Sequence, residues 1–183
     1  MPLSKADSVA CDNVGGGQLV AEQLLRSGHT RFAYIAGNAN TRTNKERERG
    51  FVARLKKAGL DCVCEAGSYT YEAGEAAMQR LLALAQRPDA VFCASDIIAL
   101  GAMDAARHLG VRVPEDVSVV GFDDIPMAGW ADYPLTTVRE PVDAMIEAAL
   151  KLLEMRSELM DGKPVAHRFA GEWVARGSVK ARR

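Results

Sequence analysis

Apolar residues along this chain fall into two alternating patterns. Short runs rich in β-branched and aromatic residues are typical of strands that are buried on both faces of a sheet. Longer segments, in which apolar residues recur every three or four positions, have the spacing of one helix face. The predicted strands are residues 9–11, 32–36, 62–65, 90–94, 117–120 and 168–174. The first predicted helix ends at Gly28; the second follows a polar loop over 37–44 and ends at Gly59; the others cover about 70–87, 97–109 and 141–160.

This alternation decides the fold class. Strands that alternate with helices of about 12 to 20 residues predict βαβ units and a parallel sheet. A length of 183 residues suffices for one sizeable core, or for one lobe and part of another. We therefore expect an α/β fold.

Polar side chains follow the predicted strands, and the run 117–120 is the most informative case. It ends at Gly121 and is followed by two adjacent carboxylates. In open α/β sheets the carboxyl ends of the strands form the edge where ligands bind, so a ligand site is predicted there. Helix N-capping is an alternative role for five of the polar residues: Asp12, Asn13, Asn44, Ser95 and Asp96. The whole polar set comprises Asp12, Asn13, residues 38–44, Tyr69, Ser95, Asp96, Asp123 and Asp124.

Arg47 and Tyr69 indicate what kind of ligand would bind. Arg47 is predicted in the first turn of a helix, where its charge opposes the helix dipole and where its donors would serve a ligand better than the helix. A surface salt bridge with Glu46 or Asp12 is the alternative. Tyr69 could stack on a ring or simply pack within its loop. Together with hydroxyl and carboxylate side chains, these residues suit a small molecule dense in hydroxyls or ring nitrogens.

Composition and charge exclude several classes of protein. A net charge of −1 gives no electrostatic reason for direct binding to nucleic acid or to an acidic membrane. The hydrophobic fraction of 48% and the charged fraction of 26% are those of a soluble globular protein. Neither a signal peptide nor a membrane-spanning run is recognised, so a cytoplasmic location is expected. The four cysteines lack a CxxC pair and are expected to be buried free thiols.

Catalytic motifs are also missing from the sequence. The glycine run 15–17 lacks the GxGxxG and GK[ST] patterns, and we interpret it as a helix start beside a close neighbour rather than as a phosphate loop. The three histidines share no metal-ligand spacing, and no serine stands in a GxSxG turn. We therefore expect a protein that is not an enzyme and that uses neither a metal nor a cofactor.

The motifs in this chain resemble those of the lactose-repressor-type (LacI/GalR) transcriptional regulators, over residues 12 to about 178. The matching segments are DN at 12–13 with GG at 16–17, LLRSGH at 24–29, IAG at 35–37, RERGF at 47–51, ASD at 94–96 with ALGA at 99–102, VPEDVSVVGFDD at 113–124, PLTTV at 134–138 and RGS at 176–178. Their combination and order make the resemblance specific.

The resemblance implies a periplasmic-binding-protein type I fold, in which two Rossmann-like lobes hold an effector in the cleft between them. It assigns residues 13–138 and 167–180 to a complete C-terminal lobe, and residues 1–12 and 139–166 to remnants of an N-terminal lobe that is largely missing. The DNA-binding domain of the family has no counterpart in this chain. By the resemblance, Arg47, Ser95 and Asp123 contact the effector, Tyr69 stands where members often place a stacking aromatic, and Thr41 and Thr43 lie in a loop that also touches the ligand. Asp12, from the polar set at the strand ends, completes the predicted effector-binding residues. Many members carry Asn where Ser95 stands.

The expected function is that of a fragment of a ligand-responsive transcriptional regulator. Its partners would be a small polar effector, such as a sugar or sugar-like molecule, and operator DNA through the missing N-terminal domain only. A sugar-binding receptor of a transport system shares the fold and is the alternative, while an enzyme acting on sugars or nucleotides ranks third.

Two surfaces predict self-association. Small residues of the helix over 97–106 and the aromatic segment 125–133 are expected to form the interface of a twofold homodimer, unless Trp130 packs on its own lobe. The helix after Pro141 carries a broad apolar stripe that in the family belongs to the first lobe. We expect this stripe either to contact a second copy or to fold back onto the chain.

Overall fold

A computed structural model describes residues 6–158 and 164–180, with the side chains of 156–158 left out of the description. Its α/β architecture confirms the predicted fold class. The strands are β1 (Ser8–Cys11), β2 (Phe32–Ile35), β3 (Cys62–Glu65), β4 (Ala90–Cys93), β5 (Ser118–Val120), β6 (Thr137–Arg139), β7 (Ala166–Phe169) and β8 (Glu172–Val174). The helices are α1 (Asn13–Arg26), α2 (Arg42–Lys56), α3 (Tyr71–Leu82), α4 (Asp96–His108) and α5 (Val142–Glu158), with a short 3-10 helix at Pro126–Gly129.

The central sheet has four parallel strands in the order β3-β2-β4-β5. The crossover from β2 to β3, through α2, runs in one direction across the sheet. The crossovers from β3 to β4, through α3, and from β4 to β5, through α4, run in the opposite direction. Since parallel crossovers are right-handed, this reversal places α2 and α3 on opposite faces. Helix α1 packs against α2, and α3 packs against α4, so each face carries a pair of helices.

Alternation along β2 and β4 explains how both faces are filled. All four residues of each strand are buried. Tyr34 and Phe92 lie on the α2 face, where their ring centroids are 6.3 and 5.1 Å from that of Phe51. Fully buried side chains of α3 and α4, including Met78, cover the other face. Aromatic contacts of this kind add to the hydrophobic stabilisation of the core.

The C-terminal part of the chain differs from the prediction of one strand over 168–174. There are two strands instead, and Gly171 lies in the break between them, where a Cβ would come 2.5 Å from the Val138 side chain. β7 pairs in parallel with β1, whereas β8 pairs antiparallel with β6. The segment after β5 continues beside β6 through parallel bridges at Val120–Thr136 and Asp123–Arg139. The division into lobes stays a prediction.

The start of α2 and the end of α3 differ from the predicted boundaries. α2 begins at Arg42 and not after Asn44, because the Thr41 hydroxyl accepts from the backbone N–H of Asn44 and caps the helix. α3 ends at Leu82, several residues earlier than expected, although Thr70 caps it as predicted. α5 follows Pro141 as expected, and its predicted end near residue 160 lies outside the described residues.

The cysteines separate into two kinds. All four are free thiols, and Cys11 and Cys93 are buried as expected. The expectation of burial is wrong for the two in β3, since Cys62 is half-buried and Cys64 is exposed. β3 is the outer strand of the central sheet, so only one neighbour covers it.

Within the described ranges, no helix is both long and apolar enough to cross a membrane.

Candidate functional site

The candidate residues lie at the edge of the sheet formed by the carboxyl ends of β2, β4 and β5. The chain reverses its direction of crossover between β2 and β4, because β3 lies outside β2 while β4 lies on the other side. In sheets of this kind, helices on opposite faces diverge from neighbouring strand ends at such a reversal and leave a crevice. In open α/β sheets this is where ligands bind.

Arg47 occupies the centre of this edge and is only 3% exposed. Its Nε donates to Asn13 Oδ1 at 2.8 Å, and its Nη1 donates to the Ala94 carbonyl at 2.6 Å. Nη1 also lies 3.0 Å from Asp123 Oδ1, and Nη2 lies 3.0 Å from Glu140 Oε1. These partners use four of the five N–H donors of a guanidinium, and the protein itself therefore holds Arg47 in place.

The position of Arg47 corrects two expectations. It is the sixth residue of α2, in the second turn and not the first, because the helix begins three residues earlier than predicted. The alternative of a surface salt bridge with Glu46 or Asp12 is also wrong, since Glu46 pairs with Arg42. The guanidinium carbon lies 3.6 Å from the centre of the Phe122 ring. This cation–π contact helps to compensate for the loss of hydration of the charge.

Asp123 places its carboxylate above Arg47 with 35% of the side chain exposed. Its φ angle is +109°, a conformation that costs free energy in a residue other than glycine. Burial raises the pKa of Asp123 to about 6; the Arg47 guanidinium opposes this shift and the Glu140 carboxylate adds to it. The result is an acceptor that is both oriented and accessible.

The adjacent Asp124 has a different role. Its φ angle of +57° turns its side chain away, and its two oxygens accept hydrogen bonds from Arg139 Nε and Arg176 Nη2, each at 2.6 Å. Burial alone would raise the pKa of Asp124, but the hydrogen bonds from the two arginines outweigh it and hold the pKa below its usual value. Asp124 thus ties the end of β5 to β6 and to the C-terminal segment.

Ser95 follows β4 directly, beside the carbonyl that Arg47 holds. It stands at the N-cap position of α4 but makes no side-chain capping bond, and the residue is 4% exposed. Its Oγ is buried and has no hydrogen-bond partner in the part of the chain that the structure describes. A buried polar atom without a partner costs about 1–3 kcal/mol. A bound molecule with a matching polar group would remove that cost.

Thr41 and Tyr69 form a second subgroup at the end of β2. The Thr41 hydroxyl caps α2 and lies 3.5 Å from the Tyr69 hydroxyl. The Tyr69 ring packs on Gly37, where a Cβ would stand 2.3 Å from the ring, so only glycine leaves room for it. Thr43 is half-buried in the first turn of α2, and among the described residues no hydrogen bond or ion pair joins it to another candidate.

Asp12 is the N-cap of α1, accepting from the backbone N–H of Gly15 at 3.0 Å, as the capping alternative predicted. The next residue, Asn13, touches Arg47 directly. Asn13 and Asn44 were predicted as members of the polar set at the sheet edge, with helix capping as the alternative, whereas Phe122 and Glu140 were not identified from the sequence. Asn44 instead accepts from the Tyr34 hydroxyl at 2.9 Å and from the Gly37 N–H at 2.8 Å. No local sequence pattern identifies Glu140 as a residue of the site, because its partner Arg47 lies 93 positions away.

The arrangement presents acceptors at its surface and a buried cation beneath them. Asp123 and Glu140 can accept from hydroxyl groups, and Ser95 can donate or accept. Among the described residues there is no group of three or more histidine, cysteine or acidic side chains that could hold a metal ion. Such a site suits reversible binding of a neutral polar molecule.

Comparisons with known proteins show which family the chain resembles. Residues 21–179 match the profile of the periplasmic-binding-protein-like domain. The HTH-type transcriptional repressor PurR of Mannheimia succiniciproducens is 37% identical over 98% of this chain and 55% of its own length. The chain thus spans about half the length of the curated relatives it matches.

Solved structures give the same result. One is the structure of a transcriptional regulator CelR–cellobiose complex. Its protein shares 37% sequence identity with this chain and superposes with a TM-score of 0.90, over 97% of this chain and 55% of that one. Another is the structure of a LacI-family transcriptional regulatory protein from Corynebacterium glutamicum. It shares 31% sequence identity with this chain and superposes with a TM-score of 0.84, over 96% of this chain and 67% of that one.

Proposed function

The chain belongs to the LacI family of transcriptional regulators and carries their periplasmic-binding-protein-like domain, and from this we propose that it forms the effector-binding part of a ligand-responsive regulator. Its effector would be a small polar molecule, a sugar or a sugar-like compound. Bound in a cleft, this molecule would modulate DNA binding by parts of a longer protein outside this chain. Such a regulator would act in the cytoplasm, as a homodimer and without chemistry of its own.

The observation that carries this proposal is the unsatisfied hydroxyl of Ser95 beside the accessible carboxylate of Asp123. Ser95 follows β4 at the switch point of the sheet, where a ligand is expected on topological grounds, and Asp123 follows the neighbouring strand β5. Most buried polar groups in proteins are paired. An unpaired one next to an oriented acceptor therefore supports a ligand that supplies the missing partner.

The charge of the site favours a neutral effector with hydroxyl donors. Arg47 is already neutralised by Asp123 and Glu140, which lie 3.0 Å from its two terminal nitrogens. An anionic ligand would meet those two carboxylates first, whereas sugar hydroxyls can donate to them. The cellobiose in the CelR complex is a molecule of this class.

The proposal can be tested on the full-length regulator with a panel of pentoses, hexoses, cellobiose and other β-linked disaccharides, nucleosides and purines. A ligand that binds the folded state raises its melting temperature by mass action. Calorimetry would then compare the wild type with Asp123→Asn, which keeps the size of the side chain and removes its charge. We expect binding by the variant to weaken at least about 10-fold, since hydrogen bonds to a charged group contribute about 1.5–3 kcal/mol.

Asp61→Asn is the matched control, because it removes one carboxylate at an exposed position at the opposite ends of the strands. It should bind the same ligand as tightly as the wild type. A panel without any stabilising compound, or an Asp123→Asn protein with wild-type affinity, would contradict the proposed site.

A further inference from the structure

Strand β3 carries a pair of thiols that the candidate site does not use. Cys62 and Cys64 are two residues apart, so their side chains point to the same face of the strand. β3 is the outer strand of the sheet, which leaves Cys64 exposed and Cys62 half-buried. Two thiols on one face of an open edge form a potential ligand pair.

The register of the sheet shows which face this is. Cys62 pairs with Phe32, and Cys64 pairs with Tyr34. The rings of Phe32 and Tyr34 both contact Phe51 of α2. The two cysteines therefore face α2.

Cys64 opens into a cavity of about 410 Å³ between β3 and α2. The Cys62 thiol donates to the backbone carbonyl of Val63 at 3.6 Å. The cavity is lined by three cationic side chains and one acidic one, together with two apolar residues: Lys45, Arg49, Lys56, Glu48, Val52 and Ala53.

We propose that the Cys62 and Cys64 sulfurs together bind one soft monovalent d10 cation, Cu(I) or Ag(I), in a linear two-coordinate site. Residues two apart on an extended strand are separated by about 6.6 Å. A metal–thiolate bond measures about 2.3 Å, so one ion spans about 4.6 Å between two sulfurs. Side chains that lean towards each other from neighbouring same-face positions can meet this distance without moving the strand.

The same spacing disfavours other uses of the pair. A disulfide needs Cβ atoms about 3.8 Å apart, which would require the strand to buckle. Zinc sites use four ligands, and two thiolates fill only half of them. Soft thiolates select Cu(I), and two of them complete a linear coordination sphere.

Charge balance supports a monovalent ion in this place. One Cu(I) with two thiolates carries a net charge of −1, and the three cationic side chains around the cavity can compensate for it. On binding, two S–H bonds break, two S–Cu bonds form and the thiol protons pass to the solvent. No electron is transferred, so no oxidant or reductant is needed.

The test uses the whole, fully reduced chain and Cu(I) held in a coloured complex with bathocuproine disulfonate. The chain should withdraw the metal from the chelator, and native mass spectrometry should show one copper per chain. Cys62→Ser and Cys64→Ser should each lower the affinity at least about 100-fold, because each removes one of two ligands. Circular dichroism checks that the variants are folded.

Cys93→Ala is the matched control, since Cys93 is fully buried one strand away from β2 on the opposite side from β3. It should keep one copper at wild-type affinity. Copper retained by the Cys62→Ser/Cys64→Ser double variant would overturn the proposal. So would a copper-bridged dimer that Cys64→Ser abolishes and Cys62→Ser leaves intact.

Discussion

Asp96 illustrates how a single carboxylate can be fixed by its surroundings. It is fully buried at the start of α4, where Oδ1 accepts from the Thr137 hydroxyl at 2.5 Å and Oδ2 accepts from the Ile125 N–H at 2.8 Å. A Cβ at Gly121 would stand 2.0 Å from Oδ1, so the glycine after β5 makes room for this side chain. Burial raises the pKa of Asp96 to about 7 despite both hydrogen bonds.

This shift predicts a pH dependence of stability. Asp96 ionises near pH 4 in the unfolded chain and near pH 7 in the folded one. Its contribution is therefore fully present below pH 4 and is lost as the pH rises to about 7. The free energy of unfolding should fall across this window by up to about 4 kcal/mol more than in Asp96→Asn, as one pKa unit corresponds to about 1.4 kcal/mol.

Urea unfolding of both proteins between pH 4 and pH 7 measures the difference. The amide side chain of the Asp96→Asn variant can keep both contacts, because the Thr137 hydroxyl can accept from an amide N–H as well as donate. The subtraction also cancels the contribution of Asp123, whose pKa is raised to about 6 over part of the same range. Parallel curves for the two proteins would show that Asp96 is not the titrating group.

Glycines set the distance between helices within each pair. A Cβ at Gly17 of α1 would lie 2.2 Å from the Arg47 carbonyl oxygen, and one at Gly50 of α2 would lie 2.0 Å from the Val14 carbonyl oxygen. On the other face, Gly74 and Gly101 allow the same close approach of α3 and α4. The interpretation of the 15–17 glycine run as a helix start beside a close neighbour is thus confirmed. Backbone contact between α1 and α2 also fixes the turn that carries Arg47.

Gly50→Ala should consequently destabilise the fold. The added methyl group meets backbone that has no rotamer to change, so α1 and α2 must separate, at a cost of about 1–3 kcal/mol. This should lower the melting temperature by several degrees in a thermal unfolding experiment.

Gly129→Ala makes the same chemical change where nothing lies within 4 Å. Its stability should stay within about 0.5 kcal/mol of the wild type. Equal effects of the two substitutions would mean that the helix crossing is looser than the structure indicates.

Two exposed apolar surfaces distinguish the whole molecule from an ordinary monomer. Trp130 is 58% exposed, so the alternative that it packs on its own lobe is wrong, and the dimer interface there stays a prediction. Leu152 is the buried contact of α5, which packs against β1 and β7. Met145 also packs against the core, half-buried, and Leu159 lies outside the described residues. The expectation that the stripe folds back on the chain is wrong for its exposed members. The exposed α5 stripe consists of Val142, Ile146, Leu150 and Leu153, which are 52 to 68% exposed.

Self-association through the α5 stripe remains our expectation for this chain. Each exposed large apolar side chain that becomes buried contributes about 1.5–3 kcal/mol. The variant Ile146→Glu/Leu150→Glu should therefore give a smaller species than the wild type in sedimentation velocity. Ala144→Glu, on the opposite side of the helix by its 3.6-residue period, should leave the size unchanged. A wild-type monomer, or a variant of unaltered size, would contradict the prediction.

The local pattern of the chain was enough to predict the helices and strands and the edge of the sheet that carries the polar residues. Burial of one or both faces imposes a period of 3.6 or 2 on the apolar positions, and this pattern survives in the linear chain. It also indicated Arg47, Ser95 and Asp123 as candidates, because each stands near a strand or helix end.

The partners of these residues depend on contacts between distant parts of the folded chain. Glu140 and Phe122 contact Arg47 from distant parts of the chain, and the periodicity of a segment carries no information about such long-range neighbours. Cys64 is exposed because β3 is the outer strand of the central sheet. The sequence did not indicate this, since a short apolar run has the same pattern in an edge strand as in a central one. Likewise, β7 and β8 are separate strands because they pair with different partners, β1 and β6. These pairings depend on the order of the strands in the fold, and the local pattern of residues carries no information about that order.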